Sequence, residues 1–472
     1  MTTIIEIEGR INRTMTSLKS VRFYIQLYWG EILKMLRLSF PIIVAQISSV
    51  LMGVIDSVMV GKLDADAPLA AAGVANIVFI LVACIGIGVF ATISPLVAKA
   101  RSSGREQECG LYLYSGLKLS LSLGFILMLI LVFISYNFHW FGQKPEVSSL
   151  APSYLRVIAF SIIPMTFFLA VKHFSDGLGV TVPAMVITVV GLLVNIVFNW
   201  VLIYGKLGFA AMGLYGSGLA TLIARVVMAC LMIVYVLESK FFQAYLPNIL
   251  ENHSTRTQAK QILQLGIPSG MQYFFETGVF VFCTISTGWL AVEALAAHTI
   301  ILNIATITYM IAAGVSFAGA ISVGSAFGIG SRTRIIRAGI ASILLVGLLM
   351  LFASVFLQIF GQDVISMYKN NSPAVTQIAT ALLFIFIFYL LADGIQAVGV
   401  GILRGLSDVN IPTIITLLAY WAVGIPASYF LSKKTDLGVQ GIWIGLTLGL
   451  ATSAVLLTLR FIFLTRKEKL KF

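Results

Sequence analysis

Charge is what this sequence has least of. Asp, Glu, Lys and Arg make up 11% of its 472 residues, less than half of the roughly 25% found in soluble globular chains. So thin a charged fraction cannot coat a water-facing surface. A soluble enzyme, a nucleic-acid-binding domain and a disordered chain are thereby excluded. Histidine and cysteine are also scarce, with four of each. Cys84, Cys230 and Cys283 stand inside apolar runs and Cys109 in a polar connection, without CxxC spacing, so they read as small buried hydrophobes. No two histidines have metal-ligand spacing and no DxxD-type pair occurs, which leaves an integral-membrane enzyme without visible machinery. The first 30 residues are broken by charges and hold neither an apolar core nor a small-residue cleavage site. They are expected to form a basic, partly amphipathic segment on the cytoplasmic membrane surface rather than a cleaved signal.

What the sequence has in abundance is apolar length. It is 59% hydrophobic with a mean hydropathy of +0.99. A spanning helix needs about 20 mostly apolar residues. Twelve such runs are present, near 36–60, 72–98, 113–136, 150–172, 183–204, 213–238, 259–288, 295–327, 336–360, 374–402, 411–431 and 441–464. The N-terminal segment, the even-numbered connections and the C-terminal tail carry 22 of the 31 Lys and Arg, among them Arg10, Arg37, Lys99, Arg101, Arg332, Arg334 and Arg466. By the positive-inside rule both termini are cytoplasmic, as an even number of spans requires. Lys118, Arg156 and Arg225 fall within spans. The expected architecture is all-α and polytopic, multi-pass in the inner membrane.

The chain also repeats itself. Leu36-Arg37-Leu38-Ser39-Phe40-Pro41 returns as Leu263-Gln264-Leu265-Gly266-Ile267-Pro268, Gly88-Val89 as Gly314-Val315, Pro183 as Pro412, and Gly213-Leu214-Tyr215 as Gly441-Ile442-Trp443. These matches keep one order and nearly one offset, 226 to 229 residues. They define two bundles of six helices related by a pseudo-two-fold axis along the membrane normal. The expected parts are an N-terminal segment (1–35), an N-lobe (36–238), a polar cytoplasmic linker (239–258), a C-lobe (259–465) and a short tail (466–472). A central cleft between two bundles suits alternating access.

Three acids stand well inside spans: Asp56, Glu276 and Asp393. Together they would cost on the order of 8–10 kcal/mol on an insertion scale, and no base on the same spans is an obvious partner. A bound cation or a proton is the natural one. Tyr389 precedes Asp393 by one helical turn and shares its face. Asn195 and Asn199 share a face of the fifth span, and Thr221 lies on the sixth. Gln272 stands one turn before Glu276, and with Gln46 and Asn303 is expected to line the cavity. His298, alone near the start of the eighth span, reads as a packed residue. Pro41 and Pro268 open the first span of each half; apolar sequence on both sides of Pro41 makes it a candidate hinge fifteen residues from Asp56.

With these residues in view the sequence resembles multidrug and toxic compound extrusion (MATE) transporters, and within them the NorM-like branch. Pro41 to Gln46 followed by Met52 to Gly61 resembles their first helix. Pro183 to Asn195 with Asn199-Trp200 resembles the fifth, Ala296 to Asn303 the eighth, and Asp393-Gly394-Ile395-Gln396 with Leu403-Arg404-Gly405 the tenth. The resemblance implies a C-lobe cation site of Glu276, Asp393 and Tyr389. It implies an N-lobe site of Asp56, Asn195 and Asn199, to which Thr221 is added. Asn199 departs from the aspartate often found there in the archaeal and DinF-like branch, which lowers the local charge. The implied activity is export of lipophilic organic cations driven by inward Na⁺ or H⁺, by a monomer with no cofactor, no nucleic-acid partner and no metal beyond Na⁺. A lipid-linked precursor flippase of the same superfamily is the alternative, although three acids suit a cation better than a phosphate.

Overall fold

The computed structural model describes residues 2–63, 66–245, 255–368, 372–435 and 437–466, with side chains from Tyr28 onward, Asp66 excepted. The middle of the expected linker, with Asn252 and His253, and nearly all of the expected tail lie outside the described residues. Every regular element among them is helical.

Among the described residues, eleven helices are long and apolar enough to cross a membrane: α1 (Tyr28–Val60), α2 (Ala67–Ser102), α3 (Glu106–Tyr136), α4 (Pro145–Gly177), α5 (Val182–Tyr204), α6 (Gly213–Glu238), α8 (Val292–Gly328), α9 (Arg332–Ser366), α10 (Pro373–Gly405), α11 (Asn410–Lys433) and α12 (Gly438–Leu464). A twelfth, α7 (Arg256–Gly288), has the length, 33 residues. It misses only on polarity, because it carries Gln272, Glu276 and several hydroxyls. The chain is thus an all-α polytopic membrane protein. The spans run several residues past the apolar runs, since helix propagation continues into the polar ends. The first helix is continuous from Thr2 to Val60, through Pro41, and α7 is likewise continuous through Pro268.

Three helices are locally interrupted, two of them at a hydroxyl. In α2 the α-helical run ends at Ala91 and resumes at Ile93, where Thr92 Oγ1 donates to the Val89 carbonyl at 2.8 Å. In α4 the break falls at Ser161, whose Oγ donates to the Ile158 carbonyl at 2.6 Å. A hydroxyl that takes over a carbonyl of the preceding turn loosens the helical ladder. In α11, Ala419–Gly424 is a π-helical turn.

Large apolar side chains such as Phe125, Phe133, Phe352, Ile359, Phe388 and Leu459 are exposed around the outside, as lipid contact requires. Trp29, Tyr136, Trp140 and Trp289 are exposed at span ends, where amphipathic rings meet the interface. Inside each half, glycines let helix backbones approach. A Cβ on Gly216 of α6 would stand 2.7 Å from the Leu202 carbonyl oxygen of α5, and one on Gly401 of α10 would stand 2.3 Å from that of Ser316 in α8.

The two halves meet along a seam made twice over. A Cβ at Gly88 (α2) would lie 2.2 Å from the Gly270 nitrogen (α7), and a Cβ at Gly314 (α8) would lie 2.9 Å from the Ile43 backbone (α1). Those pairs are equivalents under the repeat. Towards the face where span α1 begins and α12 ends, Ser102 and Ser325 hydroxyls come within 2.5 Å, and Ser103 Oγ donates to the Gly328 carbonyl at 3.0 Å.

Candidate functional site

In the first half, α5 and α6 pack tightly enough to join their polar faces. Asn195 Nδ2 and Asn199 Nδ2 donate to Asp56 Oδ1 at 3.0 and 2.5 Å. Thr221 Oγ1 donates to Asp56 Oδ2 at 2.8 Å. Asn199 Nδ2 also donates to Asn195 Oδ1 at 3.1 Å, while Asn199 Oδ1 is buried without a partner. All four residues are buried. Tyr204 fastens α5 to α1 by donating to the Met59 carbonyl at 2.8 Å. The four N-lobe residues singled out from the sequence therefore form one cluster.

Arg225 stands one turn beyond Thr221. Its Nη1 donates to Ser161 Oγ at 2.6 Å, at the break in α4, and its guanidinium lies 4.7 Å from the Phe79 ring centroid. No ion pair with Asp56 forms among the described residues; the carboxylate is held by neutral donors.

In the second half, Glu276 on α7 accepts from the Tyr420 hydroxyl at 3.3 Å. Tyr420 is presented by the π-helical turn of α11, a device common where a side chain must be re-aimed. Sequence reasoning missed this residue; a tyrosine inside an apolar run gave no signal beyond its type. Asp393 is 1% exposed and its Oδ2 has no hydrogen-bond partner. Three turns of α10 beyond it, Arg404 is also buried. Its Nε and Nη2 are unpartnered, and it lies 5.6 Å from the Tyr273 ring centroid. Tyr389 is buried, stacked on Phe386 with centroids 5.2 Å apart and set edge-on to Trp443 at 5.2 Å. Those contacts make it part of an aromatic wall.

Between the halves lies a cavity of about 370 Å³ whose walls include Gln46, Met52, Phe79, Met165 and Arg225 from one side and Tyr273, Tyr309, Met310 and Phe317 from the other. A second, of about 270 Å³, shares Tyr273, Thr277 and Tyr309 with it and reaches Glu276 and Tyr389. Gln46 thus lines the cleft as expected. Gln272 does not border either cavity: it is buried and its Nε2 donates to Thr416 Oγ1 of α11 at 3.4 Å. Asn303 borders neither as well, being exposed on α8. An intramembrane amide can be satisfied by a neighbouring helix or face outward, and sequence alone does not choose. His298 is packed, with its ring against Trp443 at 5.6 Å and Nε2 3.0 Å from Thr284 Oγ1. Of the cysteines, 84, 109 and 283 are buried and 230 is exposed.

Two bases counted with the cytoplasmic connections prove to be buried. Besides Arg404, Lys172 is enclosed with Asp176 one turn on, Nζ to Oδ2 2.8 Å. Beside them His173 packs on Phe317 of the other half at 5.2 Å. The four-residue spacing of Lys172 and Asp176 was the available signal. It was masked because Lys172 ends an apolar run and Asp176 lies just past it.

The duplication does not extend to these polar sites. At the repeat offsets, Asp56 corresponds to Cys283 and Asn199 to Ser428, and a Cβ on Gly445 would touch Ser428 at 2.2 Å. Where the first half has a polar cluster, the second has close packing. Among the described residues no group of three or more His, Cys, Asp and Glu could hold a metal ion.

Twelve helices in two pseudo-equivalent halves, with buried acids on each side of a central cavity, define a polytopic membrane transporter. The MatE family profile matches the chain twice, over residues 41–201 and 268–430, the same duplication at the same spacing. The chain belongs to this family, the multidrug and toxic compound extrusion transporters. It is 32% identical to the probable multidrug resistance protein NorM of Synechocystis sp. (strain ATCC 27184 / PCC 6803 / Kazusa) over 94% of this chain and 96% of that protein. It is equally 32% identical to multidrug resistance protein MdtK of Yersinia pseudotuberculosis serotype O:1b (strain IP 31758), over 94% and 97%. Among solved structures, the eukaryotic MATE transporter AtDTX14 superimposes with a TM-score of 0.84 at 20% identity, covering 94% of this chain and 97% of that one. An outward-facing multidrug resistance MATE family transporter of the MOP superfamily gives 0.84 at 23%, covering 91% and 95%.

Proposed function

We propose that this protein is a secondary multidrug exporter of the inner membrane, moving lipophilic organic cations outward in exchange for Na⁺ or H⁺. The observation that carries the reading is the placement of two buried acid sites, Asp56 in one half and Glu276 with Asp393 in the other, on either side of an apolar cavity. Methionine and aromatic walls accommodate varied ring systems, and ring faces attract cations. The relatives named multidrug resistance proteins support the same substrate class.

In this reading Asp56, Asn195, Asn199 and Thr221 form the N-lobe ion site, where the oxygens of one carboxylate, two amides and a hydroxyl suit a hard monovalent cation. Glu276, Asp393 and Tyr389 form the C-lobe site, and the unpartnered Asp393 Oδ2 is the atom a proton or cation would satisfy. A carboxylate that holds the coupling ion is not free for the drug, and that competition couples the two. Both termini are cytoplasmic in this reading, so the seam closed by Gly88–Gly270 and Ser102–Ser325 shuts the cytoplasmic side and the state is outward-facing. The protein acts as a monomer without a cofactor. A lipid-linked precursor flippase would need several bases on the cavity wall. That wall has one, Arg225, already engaged by Ser161 and Phe79.

The test is dye efflux from proteoliposomes with sodium and pH gradients imposed separately. Export driven by one of them, and lost in Asp56→Asn, Glu276→Gln or Asp393→Asn, is the expected result. Undiminished export by all three variants would overturn it.

A further inference from the structure

Two recesses open on the face where span α1 begins and α12 ends, and they are equivalents under the repeat. The larger, about 810 Å³, is walled by α1, the ends of α2 and α4, α8 and the start of α9. The smaller, about 320 Å³, is walled by α7, the ends of α2 and α10, and the start of α3. Their chemistry has diverged. The larger presents Lys34, Arg101, Arg334 and Arg337. Glu31 is the acid among its described lining residues, and it is paired with Lys34 at 3.2 Å. Arg334 and Arg337 make no ion pair among the described residues. In the smaller recess Gln261 stands where Lys34 does and Glu108 where Arg334 does. There Glu108 pairs with Arg105 at 2.9 Å, and the Tyr112 hydroxyl closes on Gln261 Oε1 at 2.5 Å. The fold and a general excess of bases on one face would treat both recesses alike. The smaller recess keeps one base without an ion pair among the described residues, Lys99, set over the Phe327 ring at 4.3 Å; the larger keeps three, Arg334, Arg337 and Arg101, the last also donating to the Leu178 carbonyl, so the excess is a property of that recess.

We propose that the larger recess binds a phosphate-bearing anion. Arginine forks match phosphate oxygens, the amino-terminal end of the 35-residue α9 adds its positive dipole end, and the hydroxyls of Ser102, Ser322 and Ser325 lie in the wall. The bases come from both halves: Lys34 and Arg101 from the first, Arg334 and Arg337 from the second. An anion held among them bridges the halves on the face where Ser102 meets Ser325, so it favours the state closed there and is released when the halves part. The inference is independent of the transported substrate and of the coupling ion.

The experiment uses the purified full-length chain in detergent. Thermal stability, and the rate of disulfide formation in an S102C/S325C variant, are titrated with phosphatidylglycerol, with glycerol 3-phosphate and with phosphatidylcholine. Phosphatidylglycerol is expected to raise both readouts and phosphatidylcholine neither. If glycerol 3-phosphate acts as well, a soluble phosphate ester suffices; if it does not, the source is a lipid headgroup. R334A/R337A should weaken apparent affinity at least about tenfold, about 1.4 kcal/mol. The single R334A, at an exposed position, keeps the comparison readable should the double variant fold poorly. R334K/R337K should retain part of the effect, and R105A in the sister recess all of it. Equal affinity in wild type, R334A and R334A/R337A, or no effect of either phosphate ligand on either readout, overturns the proposal.

Discussion

Gly88 and Gly270 face each other across the seam so closely that a Cβ on Gly88 would lie 2.2 Å from the Gly270 nitrogen and 2.3 Å from its Cα. Neither neighbour is a side chain that can move aside. Gly88→Ala should therefore force the halves apart on the terminal face, slowing cross-linking of an S102C/S325C pair and lowering the unfolding temperature. Gly347→Ala in α9, where a new Cβ meets nothing within 4 Å, should leave the cross-linking rate unchanged and the stability within about 1 kcal/mol of wild type, the scale of helix propensity.

Asp56 is held by three neutral donors. Asp56→Asn puts an amide NH₂ where one carboxylate oxygen accepted, so at least one donor is left facing a donor. Dye export should fall by tenfold or more. Thr221→Val removes the hydrogen bond to Asp56 and the longer one accepted from Asn195 Nδ2 at 3.4 Å; it should cost about 1–2 kcal/mol of stability, with export reduced but measurable. Efflux assays paired with thermal unfolding in detergent separate the two outcomes.

Asp393 should behave in the opposite way. Its Oδ2 has no partner to lose, and removing a buried charge without a partner relieves a desolvation cost. Asp393→Asn is expected to fold as stably as wild type or more so, while export is abolished. A variant that unfolds at a markedly lower temperature would contradict this account of the site.

The Lys172–Asp176 pair, 4% and 2% exposed, makes a third kind of demand. Lys172→Met or Asp176→Leu alone strands a buried charge and should cost about 3–5 kcal/mol, whereas the double variant should recover most of it. A double-mutant cycle on unfolding free energy reads the difference directly.

Much of this was legible in the chain. Asp56, Asn195, Asn199 and Thr221 announced themselves because polar groups inside apolar runs are costly, so their few positions carry meaning. The repeat was visible because glycines and prolines mark points of close backbone approach that both halves share. Tyr420, Arg404 and the Lys172–Asp176 pair were not read as site or core residues. Tyrosine is unremarkable in an apolar run, and residues at a run's end look like loop until helices from elsewhere cover them. Gln272 and Asn303 showed the converse, since an amide's direction depends on which neighbour packs beside it.

The sequence by itself determined that this protein spans a membrane, in how many runs, and in two equivalent halves, because hydropathy and repeat spacing are properties of the chain alone. Only the tertiary structure decided that the four N-lobe residues form one hydrogen-bonded cluster, and that the second half fills the corresponding place with Cys283 and Ser428. It alone showed that one of two equivalent recesses concentrates basic charge. Each of those outcomes depends on which helix faces which across distances of a hundred residues or more, and packing geometry, rather than local pattern, sets that.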